Sequence, residues 1–184
     1  MILKVLIIIG AIYFSILVFL FVFQRNILFV PSRSTPSITE TNVSEMSEVN
    51  IETKDELSLL SWFYRGKVEK PLIIYFQGNA GNISDRDYKA RFLIDNGFSV
   101  LLLGYRGYGG NKGQPSEEGL RKDGEAALEF ANRENFEASN IILYGESLGT
   151  GVVVDLGTLN KFKGIVLEAP YTSIEALAKK RYWF

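Results

Sequence analysis

The sequence contains neither cysteine nor histidine among its 184 residues. Without cysteine the chain can form no disulfide, and it has no thiolate for a metal site or for nucleophilic catalysis. The absence of imidazole ligands as well argues against zinc. No other pattern indicates a metal or a cofactor, so we expect neither. The lack of histidine also removes the side chain that most often serves as a general base.

An excess of charge of one sign is also lacking. The chain has 20 basic and 21 acidic residues and a formal net charge of −1. A strongly basic chain would favour nucleic acid or another polyanion, so no nucleic-acid partner is expected. Hydrophobic residues make up 47% of the sequence, which excludes a disordered chain, and the length allows one domain with a sizeable core.

One long apolar run lies near the N-terminus. Residues 5–23 carry no charge and stand between Lys4 and Arg25. As a helix the run would be about 28 Å long, close to the roughly 30 Å hydrocarbon core of a bilayer. A cleaved signal peptide has a shorter apolar region and a small-residue cleavage site. We therefore expect residues 1–25 to be a single-pass membrane anchor, although its flanking charges are too even to assign an orientation.

The region after this run divides into a polar segment and a folded domain. Residues 26–48 include Pro31 and Pro36 and are predicted to be a linker. Residues 49–184 are predicted to form the domain. It begins with two β-rich runs, "EVNIET" and "LSLLSWFY", which indicate a hairpin around residues 54–56.

Four continuous apolar runs follow the hairpin and alternate with helix-like stretches. Strands that are apolar on both faces are typical of a parallel sheet covered by helices on both sides. One intervening helix is predicted to start at a Ser84-Asp85 cap and to end at Gly97, and another to start at Ser116. The alternation predicts an α/β fold with an open, doubly wound, mostly parallel sheet. The runs span residues 71–76, 98–105, 140–145 and 164–169.

The pentapeptide Gly145-Glu146-Ser147-Leu148-Gly149 stands between a predicted strand, "NIILYG", and a predicted helix, "LGTGVVVDL". The pattern Gly-x-Ser-x-Gly is weak alone, but a strand before and a helix after are typical of a serine nucleophile at a sharp turn. Such a turn needs small neighbours on both sides of the serine. Ser147 is therefore the candidate nucleophile. The alternative is a glycine-rich helix start with an incidental serine.

A serine nucleophile also needs hydrogen-bond donors for the oxyanion that forms during acyl transfer. The N–H of the residue after the nucleophile, here Leu148, is one such donor, and the second comes from a loop after an earlier strand. The stretch "IIYFQGNAGN" fits that loop, and Asn79 is the candidate. An ordinary turn is the alternative. A phosphate-binding loop is disfavoured because no Gly-Lys-Ser/Thr follows.

Four motifs together resemble the α/β-hydrolase superfamily: "QGNAGN", "YRGYGGNKGQPSEEGL", "LYGESLGTGVVV" and "EAPYTSI", in this order. They are most similar to its single-pass, membrane-anchored branch, with its serine aminopeptidase-like hydrolases. The resemblance implies hydrolysis of an ester, thioester or amide in a small-molecule acyl substrate. The chain departs from the family pattern at Gln77, usually histidine, and at Asn111, often serine. Neither position is the nucleophile, and Gln77 can still be expected to hydrogen-bond the loop.

The same resemblance implies an acid and a histidine beyond the strand at 164–169, in the order nucleophile, acid, histidine. The sequence ends at Phe184, so we expect an incomplete α/β-hydrolase fold, truncated at the C-terminus, whose last strands are missing. Loss of the histidine costs a serine triad about 10⁶ in kcat. A lysine base is less favoured, because Lys161 and Lys163 are predicted at the far end of the sheet. Lys179 and Lys180 are predicted on a solvated helix face.

Three hypotheses on function remain open at the level of sequence. The first is a serine hydrolase by descent that is inactive as this chain. The second is a non-catalytic, membrane-anchored binding protein, and the third is a remnant. A bare, apolar edge on the strand at 164–169 would be an aggregation hazard. That expectation favours either an interrupted reading frame or a fragment completed by a second polypeptide that supplies the missing strands.

Overall fold

The computed structural model describes residues 2–173, and the chain divides into two units after Val30. The first unit is formed by helix α1, Ile2–Leu28, in which no residue is buried. Its most apolar stretch of 18 residues has a mean hydropathy of 3.0. Among the residues described, α1 alone is long and apolar enough to span a membrane, by its length and composition.

The second unit contains the strands and the three remaining α-helices. Its strands and helices follow one another in the alternation that the sequence predicts. Short 3₁₀ turns lie at residues 38–40, 83–86 and 138–140, before the strand at 47–52, the helix at 87–95 and the strand at 141–146. After β1, the two-residue strand Val30–Pro31, the elements are β2 Ser47–Glu52, β3 Ser58–Tyr64, β4 Leu72–Phe76, β5 Ala80–Gly81, α2 Asp87–Asp95, β6 Ser99–Leu102, α3 Glu117–Arg133, β7 Ile141–Glu146, α4 Leu148–Leu156 and β8 Gly164–Glu168.

Six of the strands form one sheet in the order β2-β3-β6-β4-β7-β8. The β2–β3 and β3–β6 pairs are antiparallel, and the other three pairs are parallel. This arrangement confirms both the hairpin and the mostly parallel sheet. The register places Phe76 opposite Gly145 and Glu146 opposite Glu168. The carboxyl ends of β4, β7 and β8 therefore meet at one edge of the sheet.

Helices cover both faces of the sheet, as expected for a doubly wound fold. On one face, Tyr75 of β4 and Leu102 of β6 pack with Ala90 and Leu93 of α2 in a buried cluster. On the other face, α3 and α4 lie so close to β4 that a Cβ at Gly124 would be 3.2 Å from the ring of Phe76. Strands β4 and β6 are buried along their whole length, which explains their continuous apolar sequences.

The helix caps agree with the sequence at α3 and differ at α2. The Ser116 hydroxyl accepts the Gly119 N–H at 3.0 Å, which confirms the predicted cap of α3. Before α2, however, Asn82 and not Ser84 caps the 3₁₀ turn at residues 83–86, and α2 itself follows Arg86, whose side chain makes no capping hydrogen bond. The Asn82 side chain accepts the Ser84 N–H at 2.9 Å, and Asp85 accepts the Asn82 N–H at 2.8 Å. A 3₁₀ turn then precedes α2, so that the capping residue lies two positions earlier than predicted.

The segment predicted as a linker, residues 26–48, differs from that expectation because all of it from Pro31 onward belongs to the second, folded unit. Ser32 donates its N–H to the Gly81 carbonyl at 2.9 Å and accepts the Gly109 N–H at 2.8 Å. Val43 and Met46 are buried in the cluster that also contains Tyr75 and Ala90. Burial of these two apolar side chains, which lie within a polar segment, is the physical reason why the segment is folded.

Strand β8 leaves much of its apolar surface exposed. Among the residues described, its only strand neighbour is β7, and Ile165, Val166 and Leu167 are 45%, 41% and 39% exposed. The sequence predicts a bare outer edge for this strand, and the exposed side chains lie on its two faces. The helix predicted near the C-terminus, with Lys179 and Lys180, lies outside the described residues.

Candidate active site

Ser147 occupies the turn between β7 and α4 in a strained conformation. Its backbone φ is 47° and its ψ is −109°, which is a left-handed conformation that non-glycine residues rarely adopt. Such a residue costs roughly 1–3 kcal/mol and persists only where the surrounding structure holds it. Here the Ser147 N–H donates to the Glu168 carbonyl at 2.8 Å, and the Ser147 carbonyl accepts the Thr150 N–H at 2.9 Å.

The glycines on both sides of Ser147 allow the backbone to pack closely. A Cβ at Gly149 would lie 2.1 Å from the carbonyl oxygen of Phe76, and a Cβ at Gly145 would lie 2.7 Å from the carbonyl oxygen of Gly149. Neither distance is compatible with a side chain. The need for small neighbours, predicted from the sequence, therefore has a direct steric cause.

The loop after β4 lies beside this turn. The Cβ position of Gly149 is 2.9 Å from the Gln77 carbonyl oxygen, and that of Gly78 is 3.2 Å from a carboxylate oxygen of Glu146. The loop that carries Asn79 and the turn that carries Ser147 are thus neighbours. Leu148 is buried at the first position of α4, where a backbone N–H has no acceptor within the helix. The oxyanion roles of Leu148 and Asn79 remain predictions.

Two buried tyrosines of the "YRGYGG" motif support that loop. The Tyr105 hydroxyl donates to the Gln77 carbonyl at 3.3 Å, and the Tyr108 hydroxyl donates to the Asn79 carbonyl at 3.0 Å. Burial raises the pKa of Tyr108 to about 12 and raises the pKa of Tyr105 well above its ordinary value. Both phenols therefore keep their protons and remain donors at neutral pH. The sequence shows the motif but does not assign it this role.

Gln77 behaves differently from the expectation that its amide would hydrogen-bond the loop. The side chain is buried, with 1% of its surface exposed, and neither its Oε1 nor its Nε2 has a hydrogen-bond partner among the described residues. Its backbone carbonyl accepts the Tyr105 hydroxyl. The amide therefore adds no hydrogen bond to the site in this structure.

Glu146, immediately before Ser147, is held by three side chains. It accepts the Tyr75 hydroxyl at 2.5 Å, two donors of Arg86 at 3.2 Å each, and the Lys89 ammonium at 3.3 Å. Burial raises the pKa of Glu146, but the hydrogen bonds from Tyr75 and Arg86 outweigh burial and lower the pKa below its ordinary value. Glu146 is therefore a carboxylate at neutral pH.

Glu168, at the end of β8, belongs to the same group of charges. Its carboxylate accepts Lys89 at 2.7 Å and the Tyr144 hydroxyl at 2.9 Å. We call the whole group the ionic cluster; it consists of Tyr75, Arg86, Lys89, Tyr144, Glu146 and Glu168. Its members come from β4, α2, β7 and β8 and from the turn before α2. Sequence reasoning missed the cluster, because no local pattern links residues so far apart in the chain.

Residues 68–182 match the serine aminopeptidase S33 family, which is well over half of the chain. The chain belongs to the α/β-hydrolase superfamily, in this serine aminopeptidase family. It is 33% identical over 183 residues to an uncharacterized protein of Mycobacterium tuberculosis, and the match covers 98% of this chain and 65% of that protein. It is 34% identical over 181 residues to the alpha/beta hydrolase domain-containing protein WAV2 of Arabidopsis thaliana, covering 92% of this chain and 58% of WAV2.

Solved structures agree on the fold of this α/β-hydrolase chain. An alpha-beta hydrolase from Vibrio vulnificus superposes with a TM-score of 0.65 at 24% identity, over 78% of this chain and 54% of that one. A Pyrococcus furiosus esterase gives a TM-score of 0.60 at 23% identity, over 74% of this chain and 55% of that one. The chain spans 65% and 58% of the Mycobacterium and Arabidopsis relatives, so it is shorter than both.

Lys89 is a lysine of the ionic cluster beside Ser147. The sequence alone did not indicate it as a candidate base. Although burial lowers the pKa of Lys89, the hydrogen bond to Glu168 and the charge of Glu146 raise it overall, so Lys89 is a cation and cannot accept a proton. Lys163 lies at the other end of the sheet, where its N–H donates to the Ile141 carbonyl at the start of β7. Among residues 2–173, no group of three or more acidic side chains is placed to hold a metal ion.

Proposed function

We propose that Ser147 is the nucleophile of an acyl-transfer site that hydrolyses an ester, thioester or amide. The observation that carries this proposal is the left-handed φ of 47° at Ser147, in a turn where neither flanking glycine, Gly145 or Gly149, has room for a side chain. Strained backbone of this kind clusters at active sites, where the surrounding structure holds it in place. Membership of a hydrolase family supports the same reaction class.

In the proposed reaction, the Ser147 oxygen attacks the acyl carbonyl and its proton passes to a base. The carbonyl oxygen becomes an oxyanion, which the N–H groups of Leu148 and Asn79 stabilise. The N-terminus of α4 adds positive potential at the same point. Collapse of the intermediate releases an alcohol, thiol or amine that takes up the proton. Water then hydrolyses the acyl-serine, which regenerates Ser147 and releases the acid.

We propose that the chain does not supply the base of this reaction. The sequence contains no histidine. Lys89 is protonated, and Glu146 and Glu168 are already engaged in hydrogen bonds. A carboxylate is in any case a poor base for an alcohol, because its pKa is far below that of the hydroxyl. The chain by itself is therefore a catalytically incomplete hydrolase.

We further propose that a second polypeptide completes the site. It would add a strand beside β8 and bring an acid and a histidine to the carboxyl end of the sheet. The exposed Ile165, Val166 and Leu167 of β8 support this docking position, because they leave apolar side chains uncovered on both faces of the strand, where a further strand and its helix would bury them. The anchor α1 would hold the complex at a membrane, where it would act on a small-molecule acyl substrate.

Ester hydrolysis tests the proposal. The full-length chain and its Ser147→Ala variant, both in detergent micelles, are compared on p-nitrophenyl esters of increasing chain length. We expect the two rates to be equal, because no group takes the proton from Ser147. Turnover that depends on Ser147 in the chain alone would contradict the claim of incompleteness and would require a base within these 184 residues.

A further inference from the structure

The ammonium group of Lys89 uses all of its donors in the ionic cluster. Its Nζ donates to the Glu168 carboxylate at 2.7 Å, to the Tyr75 hydroxyl at 2.9 Å and to the Glu146 carboxylate at 3.3 Å. A lysine has three N–H donors, so none is left for water. The side chain of Lys89 is only 16% exposed, and that of Glu146 is 22% exposed. A single cation therefore joins the half-buried Glu146 to Glu168, whose side chain is 42% exposed.

Both glutamates contact the turn that carries Ser147 through their backbones. Glu146 is the residue before Ser147 in the chain, and the backbone carbonyl of Glu168 accepts the Ser147 N–H at 2.8 Å. The two acids thus lie on either side of the strained residue, one through a peptide bond and the other through a hydrogen bond. Because Lys89 binds both carboxylates, it ties the end of β7 to the end of β8 at this point.

We infer that Lys89 is a positioning residue that holds the Ser147 turn in its left-handed conformation by binding Glu146 and Glu168 together. It touches no reacting atom, so its role is indirect. The relevance of this role to hydrolysis rests on the proposed function, but the conformational effect does not. Arg86 and Tyr75 also hold Glu146, whereas Tyr144 is the only other side chain that donates to Glu168 among the described residues. Loss of Lys89 therefore weakens chiefly the contact between β8 and Ser147.

Hydrogen exchange of the Ser147 amide measures this contact directly. The full-length chain in micelles is compared with Lys89→Met, which keeps the length of the side chain and removes its charge. We expect the Ser147 amide to exchange at least about tenfold faster in Lys89→Met, the effect of losing one charge-assisted hydrogen bond. The amide of Leu143, in the middle of β7, should keep its rate. Lys89→Arg, which restores the charge and the donors, should return Ser147 to within about threefold of the parent rate.

Two further variants complete the design. Lys122→Met removes a lysine that pairs with Glu118 on α3 at 3.0 Å, so it controls for the loss of a helix-surface ion pair elsewhere. Glu168→Gln removes the other half of the contact and keeps the residue that supplies the carbonyl. It should accelerate exchange of the Ser147 amide as Lys89→Met does. Combining the two substitutions should add little to either, because both remove the same contact.

Two results would overturn the inference. One is a Ser147 amide in Lys89→Met and Glu168→Gln that exchanges at the parent rate. The other is an equal acceleration at Ser147 and Leu143, which would show a general loss of stability without a local role. Acylation of Ser147 is a separate measurement. If exchange changes as expected but Ser147 cannot be acylated in the completed protein, the proposed function fails and the positioning role stands.

Discussion

Gly149 allows the first turn of α4 to lie against the end of β4, and we expect substitution there to be costly. In Gly149→Ala the new methyl group would meet the backbone oxygen of Phe76 at 2.1 Å, so the helix must shift away from the sheet. Overpacking of this kind typically destabilises a protein by about 1–3 kcal/mol. Urea unfolding followed by circular dichroism measures the change. The control is Gly164→Ala, where the nearest atom would be 3.9 Å away; equal effects of both substitutions would contradict the steric account.

The lowered pKa of Glu146 predicts how stability depends on pH. Tyr75 and Arg86 hold the pKa below its ordinary value of 4.5 against the opposing effect of burial. A group with a lower pKa in the folded state stabilises the fold above its unfolded pKa, and this contribution is lost as pH falls through the folded pKa.

Glu146→Gln should therefore be less stable than the parent chain at pH 7, by about 1–2 kcal/mol. The difference should stay constant down to about pH 5.5 and shrink as the pH falls below about 4.5. Free energies of unfolding at several pH values measure it. A difference that grows towards low pH would contradict the assignment of Glu146 as a hydrogen-bonded carboxylate.

At the level of the strands, the side chain of Asn111 extends the pairing of β3. Ladder pairing of β3 with β6 is observed from Trp62–Leu102 to Tyr64–Val100. Beyond it, the Asn111 amide accepts the Leu60 N–H at 2.8 Å and donates to the Leu60 carbonyl at 3.3 Å. This side chain thus takes the place of the next residue in a strand.

Asn111→Ala leaves two backbone groups of Leu60 without these hydrogen bonds, and we expect it to destabilise the protein by about 1–3 kcal/mol. The control is Asn50→Ala, an exposed residue of β2 directly opposite Leu60. Thermal unfolding of the two variants gives the comparison. If Asn111→Ala unfolds at the same temperature as Asn50→Ala, the bridging role of Asn111 is wrong.

The elements of the fold were predictable where one physical cause dominates a local stretch of sequence. The apolar runs at 71–76, 98–105, 140–145 and 164–169 became β4, β6, β7 and β8. Burial on both faces explains the continuous apolar sequences of β4 and β6, whereas β7 is only partly buried and β8 is exposed. The position of Ser147 between a strand and a helix followed from the same runs together with its flanking glycines.

The remaining features depend on contacts between distant segments, which a single sequence does not display. Val43 and Met46 looked like isolated apolar residues in a polar linker until α2 and β4 supplied their partners. Asn82 caps the helix region in place of Ser84 because of a 3₁₀ turn that no periodicity shows. The ionic cluster requires the pairing of β7 with β8 and the placement of α2, so it could not be predicted.

For the whole molecule, the composition of α1 predicts stable membrane attachment. Its 18 most apolar residues have a mean hydropathy of 3.0, and no residue of α1 is buried. The full-length chain should stay in the pellet after carbonate extraction, whereas a chain without residues 2–28 should be released. Full-length protein in the soluble fraction would contradict the proposed anchor.

The central proposal concerns the whole molecule as well: we propose that Ser147 is a nucleophile whose acid and base come from a second polypeptide. The most direct measurement is the occupancy of a fluorophosphonate probe on the peptide containing Ser147, quantified by mass spectrometry. The chain alone is compared with the chain expressed together with the part of the Mycobacterium tuberculosis relative that it does not span, after co-purification shows that the two bind. We expect the chain alone to match its Ser147→Ala variant, and the complex to be labelled at least about 100-fold more, because a serine without its histidine loses most of its reactivity. Strong labelling of Ser147 in the chain alone would contradict the account.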